Sequence, residues 1–193
     1  SAIFLSMLAN ISPEETQERI FKVLGSSDLD ALNSFNAKML ANLGKLDRTT
    51  TLNLANSIWH APMVTLETDT KETFSKYFAT DFFSCDLSDS ETKNRINDWI
   101  KSKTNNLITD AYNGDPFEVL LLNALYFNGK WKDKFDKSYT EKEKFHVGEK
   151  IYMVDMMKRL NVNEELAKGN NFTACRREFG NGAYTCTFIL PAE

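Results

Sequence analysis

Val119-Leu-Leu-Leu-Asn-Ala-Leu-Tyr-Phe127 is the stretch of sequence that decides the fold. Apart from Asn123, it is apolar at both odd and even positions. A short run that is apolar on both parities is typical of a β-strand covered on both faces, because a helix is usually longer. We therefore predict a strand over Val119 to Phe127, placed at the centre of a sheet.

Asn123 is the residue of this run that most needs a partner. A buried amide costs about 1–3 kcal/mol unless its donors and acceptors are matched. Two interpretations stay open on physical grounds. Asn123 marks a bulge or is satisfied by neighbouring backbone, or it is a polar latch where two elements separate and rejoin.

The segments before this strand are mainly helical. Ser12, Pro13 and Glu15 have the pattern of an N-cap, a first helical position and a capping box, which predicts a helix from near Pro13 to Gly25. Spacing and turn signals predict further helices from about Asp28 to Gly44 and around Phe74 to Phe78, with a strand at Thr51 to Trp59. A capping box at Ser88 and Glu91 predicts a last helix, which runs through Ile100 and is broken at Asn113–Pro116.

The segments after it are strand-like, at Ile151 to Met157, Phe172 to Glu178 and Tyr184 to Leu190. We find no internal repeat, low-complexity segment or linker-like stretch. The sequence therefore predicts one α+β domain, or part of one, over 1–193. It is expected to be helix-rich over 1–115 and sheet-rich over 116–193.

Composition and charge argue against several classes of partner. The net charge is −4 and no run of Lys or Arg occurs, so we expect neither nucleic acid nor a membrane as a partner. No apolar run approaches the roughly 18 residues of a spanning helix. The chain opens at Ser1 inside an apolar run without a signal-peptide n-region, so we expect that something precedes it.

The chain carries no recognisable catalytic pattern. His60 and His146 are far apart in sequence, and neither GxSxG nor a glycine-rich phosphate loop occurs. No role of an active site can be filled from these residues. We therefore expect no enzyme, no cofactor and no metal site.

Three cysteines, Cys85, Cys175 and Cys186, show neither metal-site spacing nor a CxxC pair. If Gly180 and Asn181 form a two-residue hairpin turn, Cys175 lies directly opposite Cys186 and a disulfide is open. A turn at Asn181–Gly182 removes that pairing. The alternative is that the two thiols act as small, half-buried apolar residues.

The stretch Asn123-Ala-Leu-Tyr-Phe-Asn-Gly-Lys-Trp131 resembles a motif of the serpin family of serine-protease inhibitors. The family motif is NAxYFxGxWxxxFxxxxTxxxxFH. The chain keeps its spacing throughout, at Phe127, Gly129, Trp131, Phe135, Thr140, Phe145 and His146.

Further segments resemble the family in the family's order. They are Leu54–Trp59, Ile96–Trp99, Val154–Lys158 and Tyr184–Pro191. In addition, Thr16 lies where the family has the threonine of a GAxxxT turn. Ile11 and Ser12 depart from the Gly and Ala of that turn. The resemblance implies a serpin-like α+β fold, in which helices pack on a large mixed central sheet A and smaller sheets lie beside it.

The resemblance also implies a function for the full-length parent. Such a protein inhibits serine endopeptidases, and in some cases cysteine endopeptidases, as a suicide substrate. The protease cleaves an exposed reactive-centre loop, which then inserts beside the strand of Val119 to Phe127. By motif position, Asn123 belongs to the shutter, a conformational latch, and Trp131 to the breach, where insertion starts. The loop lies downstream in the family, so we expect this chain alone to be inactive.

Two alternatives remain beside inhibition. One is a non-inhibitory serpin that serves as a carrier, chaperone or storage protein, and the other is a structural module that is stable on its own. The expected partners are a target protease, bound through the absent loop, and the missing C-terminal segment. The resemblance favours an extracellular or cell-envelope location and leaves a bacterial source open.

Overall fold

The structure is a computed structural model that describes residues 2–86, 89, 91–160 and 165–192. The described chain is α+β, as predicted. Its helices are α1 (Ala2–Ile11), α2 (Glu14–Leu24), α3 (Leu29–Asn42), α4 (Thr68–Phe78) and α5 (Glu91–Lys103). Its strands are β1 (Thr51–His60), β2 (Thr80–Ser84), β3 (Val119–Asn128), β4 (Glu141–Val147), β5 (Lys150–Met156), β6 (Leu166–Lys168), β7 (Phe172–Phe179) and β8 (Tyr184–Pro191).

The chain divides into two compact units. The first comprises Ser1–Leu46 and Thr51–Asn128, and the second comprises Asp47–Thr50 and Gly129–Glu193. The first unit extends to the end of β3, because β3 pairs with β1 there. The single domain over 1–193 stays a prediction.

The first unit is built on a three-stranded sheet in the order β2-β1-β3. β1 runs parallel to β2 from Asn56 to His60 and antiparallel to β3 along its whole length. The predicted central place of β3 is therefore wrong for this chain, since β3 has one neighbouring strand within the part that the structure describes. The predicted strand itself is present.

The middle of β3, from Leu120 to Ala124, packs on both faces, as its apolar pattern indicates. Ala124, Leu120 and Leu122 contribute to an apolar cluster with Trp99 and Ile96 of α5. On the opposite parity, Leu121 packs against a second cluster, formed by Ile3, Met7, Ile58, Phe74 and Phe78. Each large apolar side chain buried in this way stabilises the fold by about 1.5–3 kcal/mol.

The predicted capping box at Ser12 is wrong. The residue before α2 is Pro13, which caps no backbone group, and the Ser12 hydroxyl instead donates to the carbonyl of Leu8 in α1 at 2.7 Å. Ser12 directly follows α1, so its hydroxyl is used by the preceding helix. The second predicted capping residue, Ser88, lies outside the described residues.

The second unit contains the β4–β5 hairpin and a sheet in the order β6-β7-β8. In the β7–β8 pair Phe179 lies opposite Tyr184, and this register places Phe188 opposite Cys175 and Arg177 opposite Cys186. The predicted position of Cys175 directly opposite Cys186, on which the disulfide depended, is therefore wrong. The strands are connected by residues 180–183, with positive φ at Gly180 and Gly182, and both thiols are free.

The described residues contain neither a membrane-spanning helix nor a cluster of metal ligands. No helix there has the length and apolar content needed to cross a membrane. In the same residue ranges, no group of three or more His, Cys, Asp or Glu side chains lies close enough together to bind a metal ion.

Candidate functional site

A relay of hydrogen bonds joins β3, β1 and α4. Asn123 lies opposite Asn56, and its Nδ2 donates to the Oδ1 of Asn56 at 2.7 Å. The Nδ2 of Asn56 donates in turn to the carbonyl oxygen of Phe78 at 2.7 Å. Asn56 is only 1% exposed, whereas Asn123 is half-buried. We call this set the amide relay.

The end of α4 explains why the relay reaches Phe78. Phe78 is the last residue of α4, and Ala79 closes the helix in the left-handed region with φ 48°. The last carbonyls of a helix have no partner within it. The Asn56 amide supplies the missing donor for the Phe78 carbonyl, so the relay ties a helix end to the middle of the sheet.

The relay excludes one interpretation of Asn123, the bulge. The β1–β3 register is one-to-one from Thr51 and Asn128 to His60 and Val119, so no bulge occurs at Asn123. Its amide is satisfied by a side chain on the neighbouring strand rather than by backbone. The latch role stays a prediction.

Tyr126 connects β3 with the end of α5. Its hydroxyl oxygen accepts hydrogen bonds from the amide nitrogens of Asn128 and Asn105, both at 3.1 Å. Both hydrogen bonds lower the pKa of Tyr126, and the bond from Asn128 has the larger effect. Asn105 follows α5 and has φ 52°. The sequence offered little signal for this contact beyond the paired asparagines after the helix.

The same helix is anchored on β2. The indole Nε1 of Trp99 donates to Asp81 Oδ2 at 3.0 Å, and Lys103 Nζ lies 3.1 Å from the same oxygen. Burial raises the pKa of Asp81, but the hydrogen bonds from Trp99 and Lys103 outweigh it, so the net shift is downward. Helix α5 is thus attached to both outer strands of the sheet.

Trp131 lies in an aromatic cluster of the second unit. Its ring stacks on Phe179 with centroids 4.2 Å apart, and Phe188 lies 6.1 Å away. The guanidinium of Arg177 is 5.9 Å from the Trp131 ring and 4.9 Å from the ring of Phe135. Two of the predicted motif residues, Trp131 and Phe135, therefore share one cation.

The other predicted residues are dispersed. Asn123 and Phe127 belong to the first unit, as does Thr16, which is exposed on α2. Gly129 begins the longer segment of the second unit, and Thr140 is half-buried directly before β4. In the β4–β5 hairpin, Phe145 lies opposite Tyr152 and is 50% exposed, and the exposed His146 lies opposite Ile151.

A buried carboxylate was missed by the sequence reasoning. Asp47 is only 4% exposed, and its oxygens accept from the Thr49 backbone N–H at 2.8 Å, the Thr50 hydroxyl at 3.0 Å and the Asn181 backbone N–H at 3.2 Å. A Cβ added to Gly180 would lie 1.7 Å from Asp47 Oδ2. We call Asp47 with these four residues the Asp47 clamp.

The clamp favours the ionised form of its acid. The Thr49 backbone N–H lowers the pKa of Asp47 most, burial acts in the opposite direction, and bonds from the Thr49 hydroxyl, Asn181 and Thr50 lower it further. The signal in the sequence was Gly180-Asn-Gly182, which predicts a turn but not its acidic partner.

Comparison with known proteins gives the family of the chain. The family model described as Serpin (serine protease inhibitor) matches residues 2–193. The chain is 31% identical to Antichymotrypsin-2 of Bombyx mori over 159 residues, which are 79% of this chain and 42% of that protein. It is 30% identical to human Serpin B4 over 131 residues, 64% of this chain and 34% of that protein.

Solved structures give the same fold. Arabidopsis AtSerpin1 in its native stressed conformation superimposes with a TM-score of 0.86 at 24% identity, covering 100% of this chain and 52% of that one. The chain thus spans about half the length, or less, of the relatives it matches. A bacterial source gains no support from these comparisons. With a family match along nearly its whole length and a serpin arrangement of helices and sheets, the chain belongs to the serpin family.

Proposed function

We propose that the protein containing this chain inhibits serine endopeptidases, and in some cases cysteine endopeptidases, by inserting its cleaved reactive-centre loop beside β3. The observation that carries the proposal is the open edge of β3. Its 10 residues pair with β1 on one side, and no strand pairs with them on the other within the part of the chain that the structure describes. Such an edge is a template for another strand.

The free energy gained by an added strand is comparable to the cost of ordering it, and a net gain of several kcal/mol lies within the range of the two values. A loop segment matching β3 would form about ten backbone hydrogen bonds, each worth about 0.5–1.5 kcal/mol net. Ordering that segment costs about 1–2 kcal/mol per residue, and burial of exposed apolar surface, such as Leu125 at 53%, offsets part of the cost. Serpin loop insertion is itself an established example of strand addition.

Within this scheme the amide relay is the proposed shutter. Asn123 lies on the strand beside which the loop would insert, and Asn56 ties that strand to the end of α4. Trp131 is the proposed breach residue, supported by its motif position and by its packing on the β7–β8 hairpin. The cleavable loop and the target protease are proposed from family membership alone.

The decisive experiment compares intact and nicked full-length protein. Nicking the loop with a non-target protease should raise the melting temperature by at least roughly 10 °C, because an inserted strand adds several kcal/mol. A matched serine protease should also form a complex that survives denaturing electrophoresis. If the melting temperature stays the same and no serine or cysteine protease gives a complex, the carrier, chaperone or storage alternative becomes the better interpretation.

We also propose that this chain alone does not inhibit. In the family the reactive-centre loop lies in the segment that follows. The test is to incubate the isolated chain, and separately the full-length protein, with the same proteases. Loss of protease activity with the isolated chain would contradict the proposal.

A further inference from the structure

The turn between β6 and β7 carries an acceptor sequence for N-linked glycosylation. Asn171-Phe-Thr173 fits the pattern Asn-X-Ser/Thr, in which X is not proline. The chain holds one other match, Asn10-Ile-Ser12. We propose that Asn171 is glycosylated and Asn10 is not when the protein passes through a compartment that supplies a polyprenyl-diphosphate-linked oligosaccharide.

The position of Asn171 suits an acceptor. It is exposed and lies in the connection between Lys168 of β6 and Phe172 of β7. The backbone there is fixed, because its carbonyl accepts from Ala192 N at 2.8 Å and Gly169 N donates to Phe172 O at 2.9 Å. Glycans are bulky and sit on surface loops.

The position of Asn10 does not suit one. Asn10 is half-buried on α1, and its Nδ2 uses both hydrogens, donating to the Ser6 carbonyl at 2.8 Å and to Asn33 Oδ1 at 2.9 Å. Its Oδ1 accepts from Asn33 Nδ2 at 2.9 Å, and Asn33 is 3% exposed. A sugar on Nδ2 would replace one of these hydrogens and open the contact between α1 and α3.

The transfer itself is a simple exchange of bonds. The Nδ2 of Asn171 forms a bond to the anomeric carbon of the first sugar, and the bond from that carbon to the diphosphate oxygen breaks. Polyprenyl diphosphate leaves, and the amide nitrogen gives up one proton. No oxidant or reductant is involved.

A glycan at this turn has a structural consequence. β6 is a three-residue outer strand of the β6-β7-β8 sheet, and Leu166 on it is exposed. Proteins protect outer strands from pairing with other chains by covering or interrupting them. A glycan on Asn171 would hinder such pairing at the turn end of β6. The inference does not depend on protease inhibition.

The test uses the full-length protein directed into the secretory pathway of a eukaryotic host. A glycan-releasing amidase converts a glycosylated Asn to Asp, and peptide mass spectrometry locates the change. We expect one modified site, at Asn171. Asn171→Gln and Thr173→Val should abolish the modification. Thr173→Ser should keep it.

Ser12→Ala is the matched control, because it removes the acceptor sequence of Asn10 without touching the Asn10 amide. We expect this variant to keep the same single glycan. An unmodified Asn171 in the secreted wild-type protein would overturn the proposal, and so would a glycan that is lost in Ser12→Ala. Cell lysates are analysed together with the medium, so a variant that is retained in the cell is still scored.

Discussion

Asn56 and Asn123 face each other across β1 and β3, and one hydrogen bond of 2.7 Å joins their side chains. Asn56 is the middle residue of the relay, because its side-chain oxygen accepts from Asn123 and its side-chain nitrogen donates to the Phe78 carbonyl. A substitution at Asn56 therefore breaks two bonds, whereas one at Asn123 breaks a single bond.

This difference gives a ranked prediction for the full-length protein. Asn123→Ala should cost about 1–3 kcal/mol of unfolding free energy, since it leaves the buried Asn56 oxygen unmatched. It should also speed conversion to polymer or to a loop-inserted inactive form. Asn56→Ala should cost more. Urea unfolding and native electrophoresis after mild heating measure the two effects.

The control for the relay is Asn53→Ala. Asn53 lies on the same strand, β1, but its side chain is exposed. Its replacement should change stability by less than about 0.5 kcal/mol. If Asn123→Ala behaves like Asn53→Ala in both assays, the latch assignment is wrong.

Gly180 should not tolerate a side chain. A Cβ there would lie 1.7 Å from Asp47 Oδ2, and φ is 49°. We expect Gly180→Ala to cost about 1–3 kcal/mol, as overpacking commonly does. Gly148→Ala is the matched control, because its φ is 58° and no atom lies within 4 Å of the added carbon. Equal losses in melting temperature for the two variants would contradict the steric argument.

The Asp47 clamp predicts a dependence of stability on pH. Hydrogen bonds hold the pKa of Asp47 below its ordinary value of 3.8, so the folded state favours the carboxylate. Its stabilisation is complete above 3.8 and is lost as the pH falls through the lower, folded-state pKa. The difference in melting temperature between wild type and Asp47→Asn should therefore be constant near neutral pH and shrink in acid. A difference that is the same at every pH would exclude the clamp as its source.

The isolated chain should not be a well-behaved monomer. β3 presents an open edge, and Val119 and Leu125 on it are 45% and 53% exposed. Long apolar edges pair with other chains, and charged residues suppress such pairing. Size-exclusion chromatography with light scattering should show aggregates, and Leu125→Lys should reduce them more than Met63→Lys, at an exposed site outside the strands. A monodisperse wild-type chain that melts cooperatively would refute this prediction.

Local patterns predicted the strand at Val119 to Phe127 and drew attention to Asn123, because a short apolar run and a polar exception are visible in one segment. The partner of Asn123 was not visible. Asn56 lies 67 residues away, and nothing local specifies that two strands will place these amides opposite each other. The Asp47 clamp joins residues 134 apart and was missed for the same reason.

Two errors arose where local signals compete. Ser12 has the composition of an N-cap, but the end of α1 is nearer and takes its hydroxyl. Cys175 and Cys186 appear opposite each other only for one of two possible turns. The register is fixed by a connection with Gly180 and Gly182 at positive φ, and it moves Cys186 opposite Arg177.

Within the described residues, the first half of β1 has a neighbouring strand on one side, whereas its second half has one on both sides. The resistance of the sheet to force should therefore depend on the direction of pulling. β2 pairs with β1 from Asn56 to His60, so in the described chain the residues from Thr51 to Ala55 pair with β3 as their one neighbouring strand. A force applied at Asn128 across the sheet would peel the pairs one after another, whereas a force along β3 would load all of them in shear. Single-molecule pulling through Asn128 in these two directions should give a lower rupture force for peeling, and equal forces would disprove it. In the proposed mechanism, the direction in which a tethered protease pulls would then matter as much as the strength of its attachment.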